Sequence, residues 1–93
     1  MTSSAKIYHV QALIGSSCWG RHMAIKLRDI ILADHPGEVI LDFNDVVSMT
    51  GAFADELQKA ERLLNTKQIT LKKEHCSPDV AMMLTIVAQR VRQ

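Results

Sequence analysis

Cysteine is scarce in this sequence, which contains two, Cys18 and Cys76. Two cysteines do not make a disulfide framework, and neither has another cysteine two to four residues away, as a zinc site would require. We therefore expect free, reduced thiols. A metal would need a site assembled in space around His75 and Cys76, so the sequence predicts no metal and no cofactor.

Long apolar runs and an excess of one charge are also missing. No apolar run approaches the roughly 20 residues of a membrane-spanning helix, and residues 1–6 lack the apolar stretch of a secretory signal. The net charge of +1 offers no strongly basic or acidic surface for nucleic acid or a membrane. These absences predict a cytoplasmic protein that binds neither nucleic acid nor a membrane.

The residue spacings that mark many enzymes are absent as well. The four histidines are His9, His22, His35 and His75. None lies three or four residues from another, so the H-E-x-x-H pattern of a zinc enzyme does not occur. Ser16 and Ser17 stand outside a G-x-S-x-G context. These histidines and serines therefore form no recognisable catalytic motif.

Apolar patterning predicts a single domain over residues 1–93. Hydrophobic residues make up 47% of the chain, enough for one core, and a chain of this size buries roughly 65% of its unfolded surface. Residues 1–5 are expected to be a disordered tail. Strand and helix patterns then alternate, with strands predicted at 6–14, 39–43 and 68–74 and helices at 18–33, 51–65 and from Pro78 onward.

This alternation predicts an α/β fold. Strands separated by helices of this length pair through right-handed parallel crossovers. We expect a small, mostly parallel or mixed sheet of three to four strands with helices on both faces, while the direction of the first strand stays open. In the first helix, Trp19, Met23 and Leu27 recur at steps of four, which predicts that they share one buried face.

The stretch 38–65 organises the chain. It opens with a nearly unbroken apolar run at 39–43, which is typical of a strand buried on both faces. Thr50 and Gly51 follow at the point where a helix must begin. One face of that helix is apolar at steps of four, three and four, and it is formed by Phe53, Leu57, Ala60 and Leu64.

Two motifs in this stretch carry a family resemblance. V-I-L-D-F-N-D-V at 39–46, followed by G-A-F-A-D-E-L at 51–57, resembles the signature of the STAS-like family of short bacterial and phage proteins. That family is similar to anti-sigma-factor-antagonist (STAS) domains. The resemblance extends more loosely over 15–92 through Gly20, Arg21 and Ala24. It implies a STAS-like fold and a non-enzymatic regulatory module.

Acidic and polar residues around the start of the central helix form the candidate binding surface. One interpretation is structural: Asp55 pairs with Lys59 at the i,i+4 spacing, and Asp42 accepts backbone N–H bonds at the start of the central helix. The other interpretation is a surface that a protein partner recognises. That surface consists of Asp42, Asp45, Thr50, Gly51, Asp55 and Glu56.

A phosphorylation switch is a separate question. In the antagonist STAS domains, a serine at the start of this helix accepts phosphate from a partner kinase. Ala52 occupies the corresponding position here, so the resemblance does not carry the switch over to that residue. Thr50 is the nearest candidate phosphoacceptor, with Ser48 just before it. The alternative role of Thr50 is that of a helix N-cap.

The sequence therefore predicts a regulatory protein–protein interaction module that acts in signalling. The resemblance implies a histidine-kinase-like ATPase or an anti-sigma-type regulator as its partner, and a homo-oligomer is compatible with the sequence. One alternative is a small ligand-binding domain or enzyme that uses Cys18 or the acidic residues near Thr50. Another is a structural subunit of a larger assembly, in keeping with the short chain.

Overall fold

Five strands and four helices make up the structure, a computed structural model that describes residues 5–91. In chain order they are β1 (Ala5–His9), α1 (Val10–Leu13), β2 (Ser17–Cys18), α2 (Arg21–Asp34), β3 (Glu38–Asp42), β4 (Ser48–Met49), α3 (Gly51–Thr66), β5 (Thr70–Glu74) and α4 (Pro78–Val91). The predicted α/β fold class is confirmed. Of the predicted tail, residues 1–4 lie outside the described residues, whereas Ala5 pairs with Glu38 in the sheet.

The main sheet has the order β1-β3-β5, and both of its pairings are parallel. This arrangement settles the direction of the first strand. A separate parallel pair, β2-β4, has two residues in each strand. Neither short strand was predicted, because two residues are too few to show an alternating pattern. The four-residue helix α1 was not predicted either.

The first strand is shorter than predicted. It ends at His9, and the chain turns into α1, where the N–H of Ile14 donates to the carbonyl of Val10 at 2.7 Å. Val10 is buried as predicted, but Ala12 is exposed. The apparent alternation over 10–14 was therefore a helical turn, which suits the favourable helix propensities of glutamine, alanine and leucine at 11–13.

Helices α2 and α3 lie on the same face of the sheet. The strand register places Tyr8, Leu41 and Lys73 on one face. The Tyr8 hydroxyl donates to Asp34 at the end of α2, at 2.9 Å, and the Lys73 ammonium donates to Glu61 of α3, at 2.7 Å. These contacts identify the face that the two helices cover.

Among residues 5–91, no element covers the opposite face of the sheet. Ile7, Ile40 and Lys72 lie side by side on it, and Ile7 is 53% exposed while Ile40 is half-buried. The predicted coverage of both faces is therefore wrong. The apolar run 39–43 suggested a strand buried on both sides, but Glu38 and Asp42 share the face of Ile40 and keep it polar at both ends.

The central helix agrees with its prediction. Its four predicted core residues are all buried, namely Phe53, Leu57, Ala60 and Leu64. The last helix also begins as predicted, at Pro78. Ser77 caps it, because its hydroxyl accepts the N–H of Val80 at 3.2 Å. Ile69 and Leu71 of the last strand segment point into the core. No helix within residues 5–91 is long and apolar enough to cross a membrane.

The second helix differs from its prediction at the N-terminal end. It begins at Arg21 rather than near Cys18, which lies in β2. Trp19 consequently precedes the helix and is 61% exposed, so its predicted burial is wrong. Leu27 is buried and Met23 half-buried, as their spacing indicated. Gly20 lies just before the helix with φ of 79°, a conformation that favours glycine.

Candidate functional site

The short ladder β2-β4 brings the starts of α2 and α3 together. Ser17 pairs with Ser48 and Cys18 with Met49, and the N–H of Thr50 donates to the carbonyl of Cys18 at 2.9 Å. Each short strand leads directly toward a long helix. The first turns of the two helices therefore lie beside each other, beyond the carboxyl ends of β1 and β3.

Thr50 links the two helix starts through one oxygen atom. Its Oγ1 accepts the N–H of Phe53 at 3.2 Å, which caps α3 as predicted. The same oxygen accepts the N–H of Gly20 at 3.1 Å, directly before α2. The second hydrogen bond was not predicted, because it joins residues that are 30 positions apart in the sequence.

Charged side chains of both helices meet on the same surface. The Arg21 guanidinium lies 3.0 Å from Oδ2 of Asp55 and 3.4 Å from Oε1 of Glu56. Lys59 lies 3.6 Å from Asp55, which confirms the predicted i,i+4 pair. The hydrogen bond from Arg21 is the largest cause that lowers the pKa of Asp55. Two acids therefore face two bases, and the surface is charge-paired rather than negative.

Trp19 is a large apolar residue that precedes Arg21 of this charged group by two positions in the sequence. It stands between buried Cys18 and Gly20, and it is 61% exposed. We call the combination of Trp19, Arg21, Thr50, Asp55 and Glu56 the helix-start surface. The exposure of Trp19 was not predicted, because its spacing of four residues from Met23 matches the buried face of α2. The glycine that follows it was the available signal, since glycine is a poor helix residue and often marks a boundary.

Asp42 belongs to a different part of the molecule. It lies on the open face of the sheet, where it accepts the N–H of Asn44 at 2.9 Å. Nδ1 of His75 is 3.0 Å and Nδ1 of His9 is 3.3 Å from its carboxylate. The hydrogen bond from Asn44 is the largest cause that lowers the pKa of Asp42. The predicted backbone bond exists, but at a turn and away from α3.

Asp45 and Gly51 differ from each other in exposure. Asp45 is exposed in the loop between β3 and β4, with φ of 68°. Gly51 is half-buried, and a Cβ at this position would lie 3.8 Å from Sδ of Met83 in α4. The side of Gly51 that lacks a side chain thus faces α4. Of the six predicted site residues, Thr50, Asp55 and Glu56 form one group with Arg21, and Asp42 lies apart from them.

The two cysteines are free thiols in different environments. Cys18 is fully buried, and this burial raises its pKa to about 11. Its thiol is therefore protonated at neutral pH and is a poor nucleophile. Burial also raises the pKa of Cys76, which is half-buried. Within residues 5–91, no three His, Cys, Asp or Glu side chains are placed to hold a metal ion.

A cavity of about 120 Å³ lies between α3, α4 and β5. Its lining includes Ala54, Leu84 and Val87 together with the ion pair of Glu61 and Lys73. Neither Cys18 nor Thr50 lines it. Gln58 also lines this cavity, and its Oε1 is buried with no hydrogen-bond donor among the described residues. Such an oxygen is costly to bury, at about 1–3 kcal/mol.

Replacing this amide with an apolar side chain is expected to stabilise the protein. Gln58→Leu removes the buried oxygen and keeps a side chain of similar volume in the cavity lining that includes Leu84. We expect the free energy of unfolding to rise by about 1 kcal/mol, measured by urea denaturation. Gln58→Glu is the control, since it keeps an oxygen there and adds charge, and it should destabilise. A loss of stability in Gln58→Leu would contradict the prediction.

Comparison with protein-family models, with curated proteins and with solved structures finds no match for this chain. The STAS-like resemblance therefore stays a prediction based on the motifs at 39–46 and 51–57.

Proposed function

We propose that this chain is a non-enzymatic regulatory module that binds a protein partner through the helix-start surface. The observation that carries the proposal is Trp19, which is 61% exposed and stands two residues before Arg21, whose guanidinium pairs with Asp55 and Glu56. Tryptophan and arginine are the residue types most enriched among the few side chains that dominate interface energies. A surface that offers both beside acidic groups suits a protein partner.

The charges of this surface favour a partner whose contact surface carries both acidic and basic groups at its edge. Arg21 is exposed, and its guanidinium pairs with two carboxylates. It can therefore keep its ion pair with one carboxylate while it also contacts a partner. Exposed ion pairs contribute only about 0–1 kcal/mol to stability. Rearranging these pairs on binding therefore costs little. In line with the STAS-like resemblance, we propose a histidine-kinase-like ATPase or an anti-sigma-type regulator as the partner class, in the cytoplasm.

The role that we propose for Thr50 is structural support of this surface. Its oxygen already accepts two backbone N–H groups, and phosphorylation would displace at least one of them. A phosphate would also bring a charge of about −1.5 to −2 near Asp55 and Glu56. Thr50 as a phosphoacceptor is therefore the second candidate, and in that case the modification would switch the surface off.

The alternative function, a small enzyme or ligand-binding domain, has less support at the residues that the sequence suggested. Cys18 is buried and its pKa is raised, which is the opposite of a reactive thiol. The pKa of Asp55 is lowered by its hydrogen bond to Arg21, whereas a general acid at neutral pH needs a raised one. What remains of this alternative is a ligand-binding domain that would hold its ligand in the cavity beside Gln58.

The test is partner capture followed by affinity measurement. The wild-type chain is used as bait in a lysate of its native host, and the retained protein is identified by mass spectrometry and purified. Calorimetry should then show that Trp19→Ala weakens binding by roughly tenfold or more, as expected for an interface anchor. Asp55→Lys should also weaken binding, because it places a third positive charge beside Arg21 and Lys59.

The matched control is Met82→Ala on α4, since Met82 is an apolar residue that is 62% exposed, as Trp19 is at 61%. It should bind the purified partner like the wild type. Circular dichroism checks that all variants are folded. If Trp19→Ala and Asp55→Lys both fold and retain wild-type affinity, the helix-start surface is not the binding site.

A further inference from the structure

The open face of the sheet has an apolar centre between two polar ends. Ile7 of β1 lies beside Ile40 of β3 in the strand register. At one end of this face, Lys72 lies 3.3 Å from Glu38, and at the other end Asp42 contacts His9. The two isoleucines therefore form a short apolar row that reaches the edge of the sheet at Ile7, which is 53% exposed.

Strand β1 forms that edge, and its outer side has no pairing strand within residues 5–91. Natural proteins guard such edges with proline, bulges or charged side chains. β1 contains no proline, and it pairs with β3 in an unbroken register over all five residues. Its one lysine, Lys6, is on the helix-covered face and is held 2.9 Å from Asp34. The edge is thus suited to accept another strand.

The sequence of β1 is complementary to itself in the antiparallel direction. A two-fold axis that passes between the two β1 strands, perpendicular to the sheet, places Ile7 opposite Ile7 of a second copy. The same axis places Lys6 opposite Tyr8 and Ala5 opposite His9. No like charges face each other in this register. Because each Ile7 is beside its own Ile40, the two apolar rows join into one row of four isoleucines across the open face.

We propose that two copies of this chain associate through antiparallel pairing of their β1 strands about Ile7. The product is a six-stranded sheet in the order β5-β3-β1-β1-β3-β5 with two-fold symmetry. Antiparallel pairing closes the dimer, because both copies use the same edge and none is left to add a third copy at β1. This interface is separate from the helix-start surface, so it does not depend on the proposed function.

Sedimentation equilibrium of the full chain tests the association. An interface of one five-residue strand belongs to the small, weak class, so concentrations from about 1 μM to about 1 mM are needed. The average mass should rise toward that of a dimer. Ile7→Lys should remain monomeric throughout, whereas Met82→Lys, at a position on α4 that is 62% exposed against 53% for Ile7, should dimerise like the wild type. A monomeric wild type at all concentrations would overturn the proposal.

Cross-linking tests the register in a Cys76→Ser background, where the remaining Cys18 is buried. Ile7→Cys places two thiols on the symmetry axis, where directly opposite Cβ atoms are about 5 Å apart, so mild oxidation should give a disulfide-linked dimer. Ala5→Cys is the control, because its two copies would be separated by four residues, or about 13 Å along the strand. We expect Ile7→Cys to cross-link at least tenfold faster. Equal rates, or faster cross-linking of Ala5→Cys, would contradict the proposed pairing.

Discussion

Phe53→Ala is expected to lower the free energy of unfolding by about 3–5 kcal/mol. Phe53 is fully buried on the core face of α3, in the same cluster as Leu41 and Phe43. Removing its ring leaves a cavity that the surrounding strands and helices can only partly fill. Against a total stability of about 5–15 kcal/mol for a native domain, this loss would leave a large unfolded fraction in mild urea.

The control for this prediction lies on the same helix. Leu63 is 38% exposed, so Leu63→Ala removes an apolar side chain without opening the core and should cost under about 1 kcal/mol. Urea unfolding followed by circular dichroism measures both variants. A loss of under about 1 kcal/mol for Phe53→Ala as well would mean that Phe53 is not in the core and that α3 is rotated about its axis.

The sequence was sufficient to predict α3 because several local signals agree there. Thr50 caps the helix, and the spacing of Phe53, Leu57 and Leu64 defines a single buried face. Each signal depends on residues within one or two turns of each other. Helix periodicity and capping are local properties, so they can be read from one stretch of chain without knowledge of its neighbours.

The open face of the sheet could not be predicted in the same way. Whether Ile40 is covered depends on which side α2 and α3 pack, and that depends on the direction in which the strands follow one another. With the order β1-β3-β5, two right-handed crossovers in the same direction place both helices on one face. The alternation of Glu38, Ile40 and Asp42 on the open side was visible in the sequence, but the apolar run obscured it.

The candidate site was only partly predictable, for a related reason. Asp55 and Glu56 were identified from their place in the first turns of α3. Their pairing with Arg21 was not predicted, because Arg21 is 34 residues from Asp55 and the starts of α2 and α3 are brought together by the short β2-β4 ladder. Asp42 was grouped with them by its sequence position, yet it points to the other face of the sheet. Proximity in sequence gave no information on which side of the sheet a side chain lies.

Thr50→Val is expected to lower the free energy of unfolding by about 2–3 kcal/mol, more than the loss of a simple helix cap at about 1 kcal/mol. Valine keeps the branched shape but lacks the acceptor oxygen. The N–H of Phe53 would lose its cap, and the partly buried N–H of Gly20 would lose the acceptor at 3.1 Å. The second loss is the larger of the two, because a buried donor without a partner costs about 1–3 kcal/mol.

Thr50→Ser separates the oxygen from the rest of the side chain. It keeps Oγ and removes one methyl group, so its loss should stay under about 1 kcal/mol. Urea unfolding gives the stabilities, and amide hydrogen exchange reports the two donors: exchange at both Gly20 and Phe53 should speed up in Thr50→Val and remain slow in Thr50→Ser. Faster exchange at Phe53 alone would mean that Thr50 is only a cap and does not join α2 to α3. A larger loss of stability in Thr50→Ser than in Thr50→Val would show that the methyl group, and not the shared oxygen, stabilises the start of α3.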